Sequence, residues 1–336
     1  MANNNFKPFA AAAGANVMAQ ADYEALAALL TGFQSGTAQS VQLNKVWRQS
    51  SIMAAVLGQF IVDLTGQDAV DDGTTATLLA NLKMAVQAQS AAVVGQARNL
   101  SMSVTTAAST ATLNADEIVV GTALGGQKYL LKQFSKTINL AAAGAGGMDT
   151  GAAPASGFVA LYAIYNPTTG ASALLATNAT ASIAPNVYGG ANMPPGYSAS
   201  ALVSVWPTDG SGRLVAGFQR DREIFGSYGT ILTTSVQQAS LTPLSISAFV
   251  PPNAKTMSGD GSISSTSAGS GDLFLAGAVG SNIGLKHITQ AALTANISQI
   301  GVYSYIPIIE QQKIYYKATV SAGTMTASIY ISSYTF

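Results

Sequence analysis

Two acidic residues separated by one position are the first candidates for catalysis in this chain. Asp221 and Glu223 stand in the segment QRDREIF, and two residues at this spacing share a face of a β-strand. Hydrolysis of a glycosidic bond uses two carboxyl groups about 5 to 10 Å apart. Arg220 and Arg222 share the opposite face, and ion pairs explain such an alternation more simply. We therefore predict no catalytic residue.

Asp209 and His287 are the other residues whose types suggest chemistry. Asp209 lies in PTDGSG, where aspartate favours turn geometry. His287 is the single histidine, so a histidine-rich metal site would need several copies of the chain to meet on an axis; a surface or interface role is the simpler interpretation. The chain has no cysteine, which excludes disulfides and thiolate metal sites. We predict neither a cofactor nor a metal.

The composition argues for a protein that associates with copies of itself. Of the 336 residues, 48% are hydrophobic and 9% are charged, against roughly 25% charged in ordinary domains. The formal net charge is zero, so no long-range field attracts nucleic acid or anionic lipid. The N-terminus lacks the basic region and continuous apolar segment of a signal peptide. We expect binding to neither nucleic acid nor membrane.

The most apolar stretch, SSIMAAVLGQFIVDL at 51–65, is too short and too polar to cross a bilayer, which needs about 20 apolar residues. It predicts instead an amphipathic helix over 40–65. Apolar residues recur at spacings of three and four along one side: Leu43, Val46, Trp47, Met53, Val56, Leu57, Phe60, Ile61 and Leu64. Such a side requires a partner surface.

The remaining N-terminal elements are an arm and two further helices. Residues 1–17 predict an extended arm, with a disordered terminus as the alternative. A helix capped by Asp22 is predicted over 22–33. A third helix, capped by Asp71 or Asp72, is predicted over 74–93.

Helical periodicity ends near residue 100, and short alternations of β-branched and polar residues replace it. Residues 127–140 predict a strand, and the glycine- and alanine-rich residues 141–157 predict a linker or a long loop. Two hairpins should follow: 158–165 with 171–177, and 199–206 with 213–225.

The last hundred residues predict several strands at a spacing of about ten residues, which is typical of a β-sandwich or a jelly-roll-like domain. Residues 313–320 and 325–331 alternate in apolar character and predict a hairpin with one buried face. The expected fold class is therefore α+β, with an N-terminal helical (coiled-coil or bundle) module followed by mainly antiparallel β domains. The predicted domains are 1–100, 101–228 and 229–336.

The first 90 residues resemble the N-terminal module of tailed-bacteriophage tail fibre and receptor-binding proteins. The resemblance rests on GANV, ADYEAL, GFQSGTA, LNKVWRQSS and GQDAVDDG, which occur in that order behind an arm that contains Phe6, Pro8 and Phe9. A second segment, from GFVALYAIYNPTTG to ASALVSVWPT, is similar to one that recurs in phage tail proteins. The last hundred residues resemble the distal tips of such proteins only in general character.

The resemblance implies a homotrimer of the virion tail, assembled in the host cytoplasm. Its helices would attach to tail or baseplate proteins and its C-terminal β domain would bind a glycan or protein on the host-cell surface. The candidate trimer and attachment interface comprises Phe6, Phe9, Trp47, Met53, Leu57, Phe60 and Leu64. The candidate receptor contacts are Tyr303, Tyr305, Asn253, Lys255 and Asn282. The alternatives are a tail spike that degrades polysaccharide and a purely structural baseplate subunit.

Overall fold

The structure, a computed structural model, describes residues 2–36, 39–88 and 92–336 of the chain. They form two compact units, Met1–Ala91 and Ala92–Phe336, which we call the helical unit and the β unit. Helices come first in the chain and mainly antiparallel strands follow. The predicted α+β class is confirmed at this level.

The described part of the helical unit contains the helices α1 (Gln20–Glu24), α2 (Ala28–Thr31), α3 (Ser40–Thr65) and α4 (Ala76–Ala88). Helix α3 confirms the prediction over 40–65. It ends where Gly66 adopts a left-handed φ of 66° and donates its N–H to the carbonyl of Val62. No described helix is long and apolar enough to cross a membrane.

The other two helix predictions need correction. The segment 22–33 forms two short helices, and Asp22 lies in the first turn of α1 while Ala19 is the N-cap. Neither helix has a side-chain hydrogen bond at its N-cap. The helix predicted over 74–93 is α4, and residues 89–91 lie outside the described residues. Asp72 accepts hydrogen bonds from the N–H and hydroxyl of Thr74, in the turn before α4.

The N-terminal arm is ordered against α3. The side-chain amide of Asn4 donates to the carbonyl of Ala55 at 2.9 Å, and the N–H of Phe9 donates to Ser51 Oγ at 2.8 Å. The arm approaches the helix closely at Gly58, where a Cβ atom would collide with the side chain of Asn4. A glycine at this position therefore makes the contact possible.

Within the helical unit the described hydrophobic core is small. Ile61, Val62 and Ala69 are its buried members. Partly buried side chains pack against them, namely Ala2, Phe6, Leu78 and Leu82. Of the residues of α3, Gly58, Ile61 and Val62 are buried, and the other large apolar side chains are partly buried or exposed.

The β unit contains sixteen strands among the residues that the structure describes, and a short 3₁₀ helix at Gly280–Asn282. The strands are β1 (Ala97–Arg98), β2 (Ser101–Val104), β3 (Thr110–Gly121), β4 (Lys128–Asn139), β5 (Phe158–Tyr165), β6 (Ser172–Asn178), β7 (Ala199–Pro207), β8 (Gly217–Arg220), β9 (Glu223–Thr234), β10 (Gln238–Ser245), β11 (Thr256–Ser265), β12 (Gly269–Ala276), β13 (Lys286–Leu293), β14 (Gln299–Pro307), β15 (Lys313–Val320) and β16 (Met325–Thr335).

These strands pair in two sheets. The larger has the order β14-β11-β16-β9-β8-β2-β3-β7-β5-β6, with β1 and β4 also paired to β3, and the smaller has the order β10-β15-β12-β13. The paired strands are antiparallel. Buried side chains from both sheets join one hydrophobic core. The predicted boundary near residue 228 falls inside β9, which runs through it without a break.

Glycines let the two sheets approach each other closely. Gly261 on β11 lies directly opposite Gly301 on β14. A Cβ on Gly301 would collide with the carbonyl of Ile288, and one on Gly261 would come within 2.8 Å of Leu273 Cδ2. Both neighbours, Ile288 and Leu273, belong to the smaller sheet.

The predicted buried positions of the last two strands are confirmed, but their predicted pairing with each other is wrong. In β15 the predicted core residues Ile314 and Ala318 are fully buried, and in β16 Ala327 and Ile329 are also fully buried. However, β15 belongs to the smaller sheet and β16 to the larger one. A period of two marks a buried face equally well for neighbours in one sheet and for strands that face each other across a core.

Of the predictions for the middle of the chain, that of the second hairpin needs correction. The hairpin of β5 and β6 forms, with Tyr165 opposite Ser172. The second predicted hairpin does not, because β7 pairs with β5 and β3 while β8 pairs with β2 and β9. The loop at 141–157 packs beside β6: Met148 is fully buried, and the N–H of Asp149 donates to the carbonyl of Ala176 in that strand.

Candidate functional site

The first candidate surface is an apolar stripe on α3. Its members recur at alternating spacings of three and four residues: Leu43, Val46, Ser50, Met53, Leu57, Phe60 and Leu64. This is the heptad spacing by which helices pack along a shared seam. No member is buried, and Met53 is 59% exposed. We call these seven residues the α3 seam.

The predicted interface residues divide into two groups. Four have exposed side chains, namely Phe9, Trp47, Met53 and Leu57, and three are partly buried, namely Phe6, Phe60 and Leu64. Phe9 and Trp47 contact each other edge to face, with their ring centroids 5.7 Å apart. Phe6 packs against the core of the unit, whereas Phe60 and Leu64 lie on the α3 seam. None of the seven is buried within its own chain.

An apolar groove adjoins the α3 seam. It has a volume of about 320 Å³ and lies between the arm, α3 and α4, where Phe6, Leu57, Ile61, Leu78 and Leu82 line it. Leu57 belongs to both the groove and the seam. The groove therefore extends the apolar surface of α3.

The second candidate surface is on the larger sheet of the β unit. Asp260 on β11 lies directly opposite Val302 on β14 and Tyr330 on β16. Tyr228 from β9 stacks on Tyr330 with ring centroids 4.8 Å apart, and its hydroxyl donates to Asp260 Oδ1 at 2.5 Å. Ile300 extends the apolar border along β14. We call Tyr228, Asp260, Ile300, Val302 and Tyr330 the tyrosine face.

The tyrosine face offers both apolar and hydrogen-bonding groups. Tyr228 is 58% exposed and Val302 is 80% exposed. Desolvation of the hydroxyl and its hydrogen bond to Asp260 raise the pKa of Tyr228, so the phenol stays neutral at physiological pH. Aromatic rings pack against apolar faces of a ligand, while the carboxylate can accept further hydrogen bonds from it.

Sequence reasoning did not bring these residues together. Irregular pairing exposes Tyr228, since Ile331 pairs with Gly229 but Ser333 pairs with Phe225. Three residues of β9 therefore stand opposite the single Ser332, and Tyr228 is one of them. No local pattern marks such a bulge or the long-range pairing that carries Asp260 and Tyr330 to it.

A second bulge separates Tyr303 from Tyr305, which were predicted to share a face. Met257 pairs with Ile306 but Gly259 pairs with Tyr303, so β14 has an extra residue here, and Tyr305 has a φ of 54°. Tyr303 is 3% exposed and its hydroxyl donates to the carbonyl of Tyr330, whereas Tyr305 is 57% exposed. The bulge reverses the alternation. Of this pair, Tyr305 alone is available to a ligand.

The other predicted receptor contacts also divide by exposure. Asn253 is buried, and its side-chain amide binds both the N–H and the carbonyl of Ala184 at 2.8 Å. That pair of hydrogen bonds gives Asn253 a structural role and removes it from the surface. Lys255 and Asn282 are exposed.

The candidate catalytic carboxylates do not share a strand face. Asp221 and Arg222 form the turn between β8 and β9, because Arg220 pairs with Glu223. Asp209 is in a turn, as predicted, and accepts hydrogen bonds from the N–H groups of Ser211 and Arg213. The backbone and side-chain hydrogen bonds from Arg213 lower the pKa of Asp209.

His287 stacks on an aromatic ring. Its ring lies 4.1 Å from that of Phe274, centroid to centroid, and the ammonium of Lys317 lies 5.1 Å from the centroid of the same ring. Within the described residues, no three His, Cys, Asp or Glu side chains are grouped as a metal site would require.

Comparison with known proteins gives little further information. No protein-family model matches the chain, and no curated protein matches it. Among solved structures, a chain from the structure of the infectious bursal disease virus Gx strain matches at 11% identity, covering 73% of this chain and 69% of that one. Its TM-score of 0.23 does not establish a shared fold.

Proposed function

We propose that this chain is a subunit of a homotrimeric tail fibre or receptor-binding protein of a tailed bacteriophage. The helical unit attaches the trimer to tail or baseplate proteins, and the β unit binds a receptor on the host-cell surface. The protein acts by adhesion and not by catalysis. The observation that carries the proposal is the α3 seam, none of whose residues is buried, in the segment that resembles phage attachment modules.

The residues of the α3 seam support an oligomer larger than a dimer. In heptad notation, Leu43, Ser50, Leu57 and Leu64 take the a positions, Ser50 being the single polar member, and Val46, Met53 and Phe60 take the d positions. Two-stranded parallel coiled coils favour β-branched residues at a and leucine at d, whereas leucine at a is found in the pattern that favours three or four strands. Of these arrangements, the trimer is the one that the resemblance to phage tail proteins implies.

The strand order supports a jelly-roll tip at the C-terminus. Counted from β9 as the first strand, the eight last strands have the order 6-3-8-1 in the larger sheet and 2-7-4-5 in the smaller. Eight antiparallel strands in two facing sheets of this order are the jelly-roll arrangement, which occurs in viral and lectin domains. On this proposal, the eight strands that begin with β9 at Glu223 are the receptor-binding part, and the strands before them support this part.

The tyrosine face is the proposed receptor contact. It lies on the larger sheet among the last eight strands and combines two stacked tyrosines, a carboxylate and an exposed aliphatic border. Tyr305 also lies on this sheet and is exposed. A trimer would present the face three times, and several trimers on one particle would convert weak binding into durable attachment.

Adsorption tests this proposal. Labelled full-length chain should bind saturably to cells of one or more strains in a bacterial panel, and excess unlabelled chain should compete. Tyr228→Ala should weaken this binding about tenfold or more, whereas Phe218→Ala, which removes another exposed aromatic ring of the β unit, should leave it unchanged. Equal binding by both variants would exclude the tyrosine face, and binding to no strain would contradict the adhesive role.

A further inference from the structure

A pocket separate from the tyrosine face lies where β9 and β16 lose their pairing. Its volume is about 360 Å³, near the lower end of the range for small-molecule sites. Gly226 and Ser227 on β9 and Ser332 on β16 line one side, where three residues of β9 stand opposite one of β16. The bulge therefore both exposes Tyr228 and opens the pocket.

Loops from the rest of the β unit complete the lining. Ser156, Pro207 and Thr208 come from the loop before β5 and the end of β7, and Phe249 comes from the turn before β11. Thr208 donates its hydroxyl hydrogen to the carbonyl of Pro154 at 2.5 Å and accepts the N–H of Gly157 at 3.1 Å, which fixes this wall. The pocket is thus built by segments that are distant in sequence but belong to one compact unit.

The chemistry of the lining is neutral. The lining residues include no Asp, Glu, Lys, Arg or His. An anionic or cationic ligand would lose its hydration there without gaining a countercharge. The polar side chains are hydroxyls. Those of Thr208, Ser332 and Ser333 donate to Pro154, Ser258 and Glu223, which leaves their oxygens to accept hydrogen bonds from a ligand.

Apolar lining groups accompany those hydroxyls. Phe249, Pro207 and Val215 present apolar surface in the same pocket. A pyranose ring has matching chemistry, because its C–H face packs on an aromatic ring while its hydroxyls can donate hydrogen bonds to the serine oxygens of the lining. We propose that this pocket binds one uncharged sugar unit of a saccharide.

Gly226 offers a way to close the pocket without disturbing the backbone. A Cβ at this position meets no atom within 4 Å, and its φ lies outside the left-handed region. A tryptophan there would occupy the space of the ligand. Gly280 has the same two properties and does not line the pocket, so Gly280→Trp is a matched control.

The test is direct binding of sugars to the purified full-length chain. The probes are glucose, galactose, mannose, N-acetylglucosamine and N-acetylgalactosamine, with glucuronic acid as the charged comparison, measured by saturation-transfer NMR and titration calorimetry. We expect at least one neutral sugar to bind and glucuronic acid not to bind. Gly226→Trp should raise the Kd tenfold or more, and Gly280→Trp should leave it unchanged.

Several outcomes would overturn the inference. They are the absence of binding by every neutral sugar, preferential binding of glucuronic acid, and unchanged binding by Gly226→Trp, which would place the sugar elsewhere. If Gly226→Trp does not fold, Ser227→Trp tests the same wall, and circular dichroism checks folding. The inference goes beyond the attachment role, because the assay contains no cells. Sugar binding without adsorption to cells would contradict the proposed function but would support the inference that the pocket binds a sugar.

Discussion

Trp47 and Trp206 are the two tryptophans of the chain, and their surroundings show how its two units differ. Trp206 in the β unit is fully buried, and its indole N–H donates to the carbonyl of Val215 at 2.9 Å. Trp47 in the helical unit is 53% exposed and contacts Phe9 by an edge. The β unit buries a large apolar core within one chain, whereas the described core of the helical unit contains few buried residues.

The difference has a consequence for stability. Burial of apolar surface is the dominant favourable term in folding, and the described core of the helical unit contains few buried residues. Contacts between copies would then supply much of the stability of the helical unit. We expect the β unit to be stable by itself and the helical unit to depend on association.

The largest effect is expected from removing the buried tryptophan. Trp206→Ala should lower the free energy of unfolding of the β unit by about 3–5 kcal/mol, because it leaves a cavity in a packed core. Urea denaturation followed by far-UV circular dichroism measures this. Trp47→Ala is the control and should leave the β transition in place. Equal destabilisation of the β transition by both variants would contradict the comparison.

The next largest effect is expected in how the melting temperature of each unit depends on protein concentration. If the helical unit is stabilised by copies, its melting temperature rises with concentration, whereas that of the β unit does not. In the Trp206→Phe variant, Trp47 is the single tryptophan, and its fluorescence reports on the helical unit. In the Trp47→Phe variant, Trp206 is the single tryptophan and reports on the β unit. A helical transition that is independent of concentration would count against association.

A smaller, local effect is expected at the arm. Gly58→Val places a side chain where Asn4 lies, so the arm should detach from α3 and be cleaved faster by chymotrypsin after Phe6 and Phe9. Gln59→Val adds a β-branched residue at the neighbouring exposed position and should not change the cleavage rate. An unchanged rate in Gly58→Val would show that the arm does not need this close approach.

The smallest effect concerns pH and should be confined to the β unit. Burial and the hydrogen bond to Asp149 raise the pKa of Tyr188 to about 12. A raised pKa means that Tyr188 stabilises the fold fully below the unfolded value of about 10. This contribution is lost as the pH rises through 12.

Comparison with Tyr188→Phe isolates this contribution. The difference in free energy of unfolding between wild type and Tyr188→Phe should be constant below pH 10 and should change between pH 10 and 12, as denaturation curves at each pH would show. A difference that does not depend on pH over this range would mean that the phenol is not perturbed.

How much of the fold the sequence could predict depended on how local each signal was. Helix α3 was predicted at its observed bounds, because the spacing of its apolar residues is a signal that lies within a few turns of chain. Alternation also identified the buried faces of β15 and β16, but not that they belong to different sheets. Pairing is decided by contacts between distant segments, for which a period of two contains no information.

The candidate surfaces show the same limit. The exposed residues of the α3 seam were predictable, because their spacing on one helix fixes their face. Tyr303 and Tyr305 were not, because a bulge between them reverses the alternation. The tyrosine face and the sugar pocket both depend on the irregular pairing of β9 with β16, which no single stretch of sequence announces.

The solution mass of the purified chain tests the central claim most directly. Light scattering at micromolar concentration should give three times 34.1 kDa for the wild type. The double variant Met53→Lys, Leu57→Lys places two charges on the α3 seam and should give 34.1 kDa, with the β unit still folded. A wild-type mass of 34.1 kDa, or an unchanged trimer in the double variant, would contradict the account.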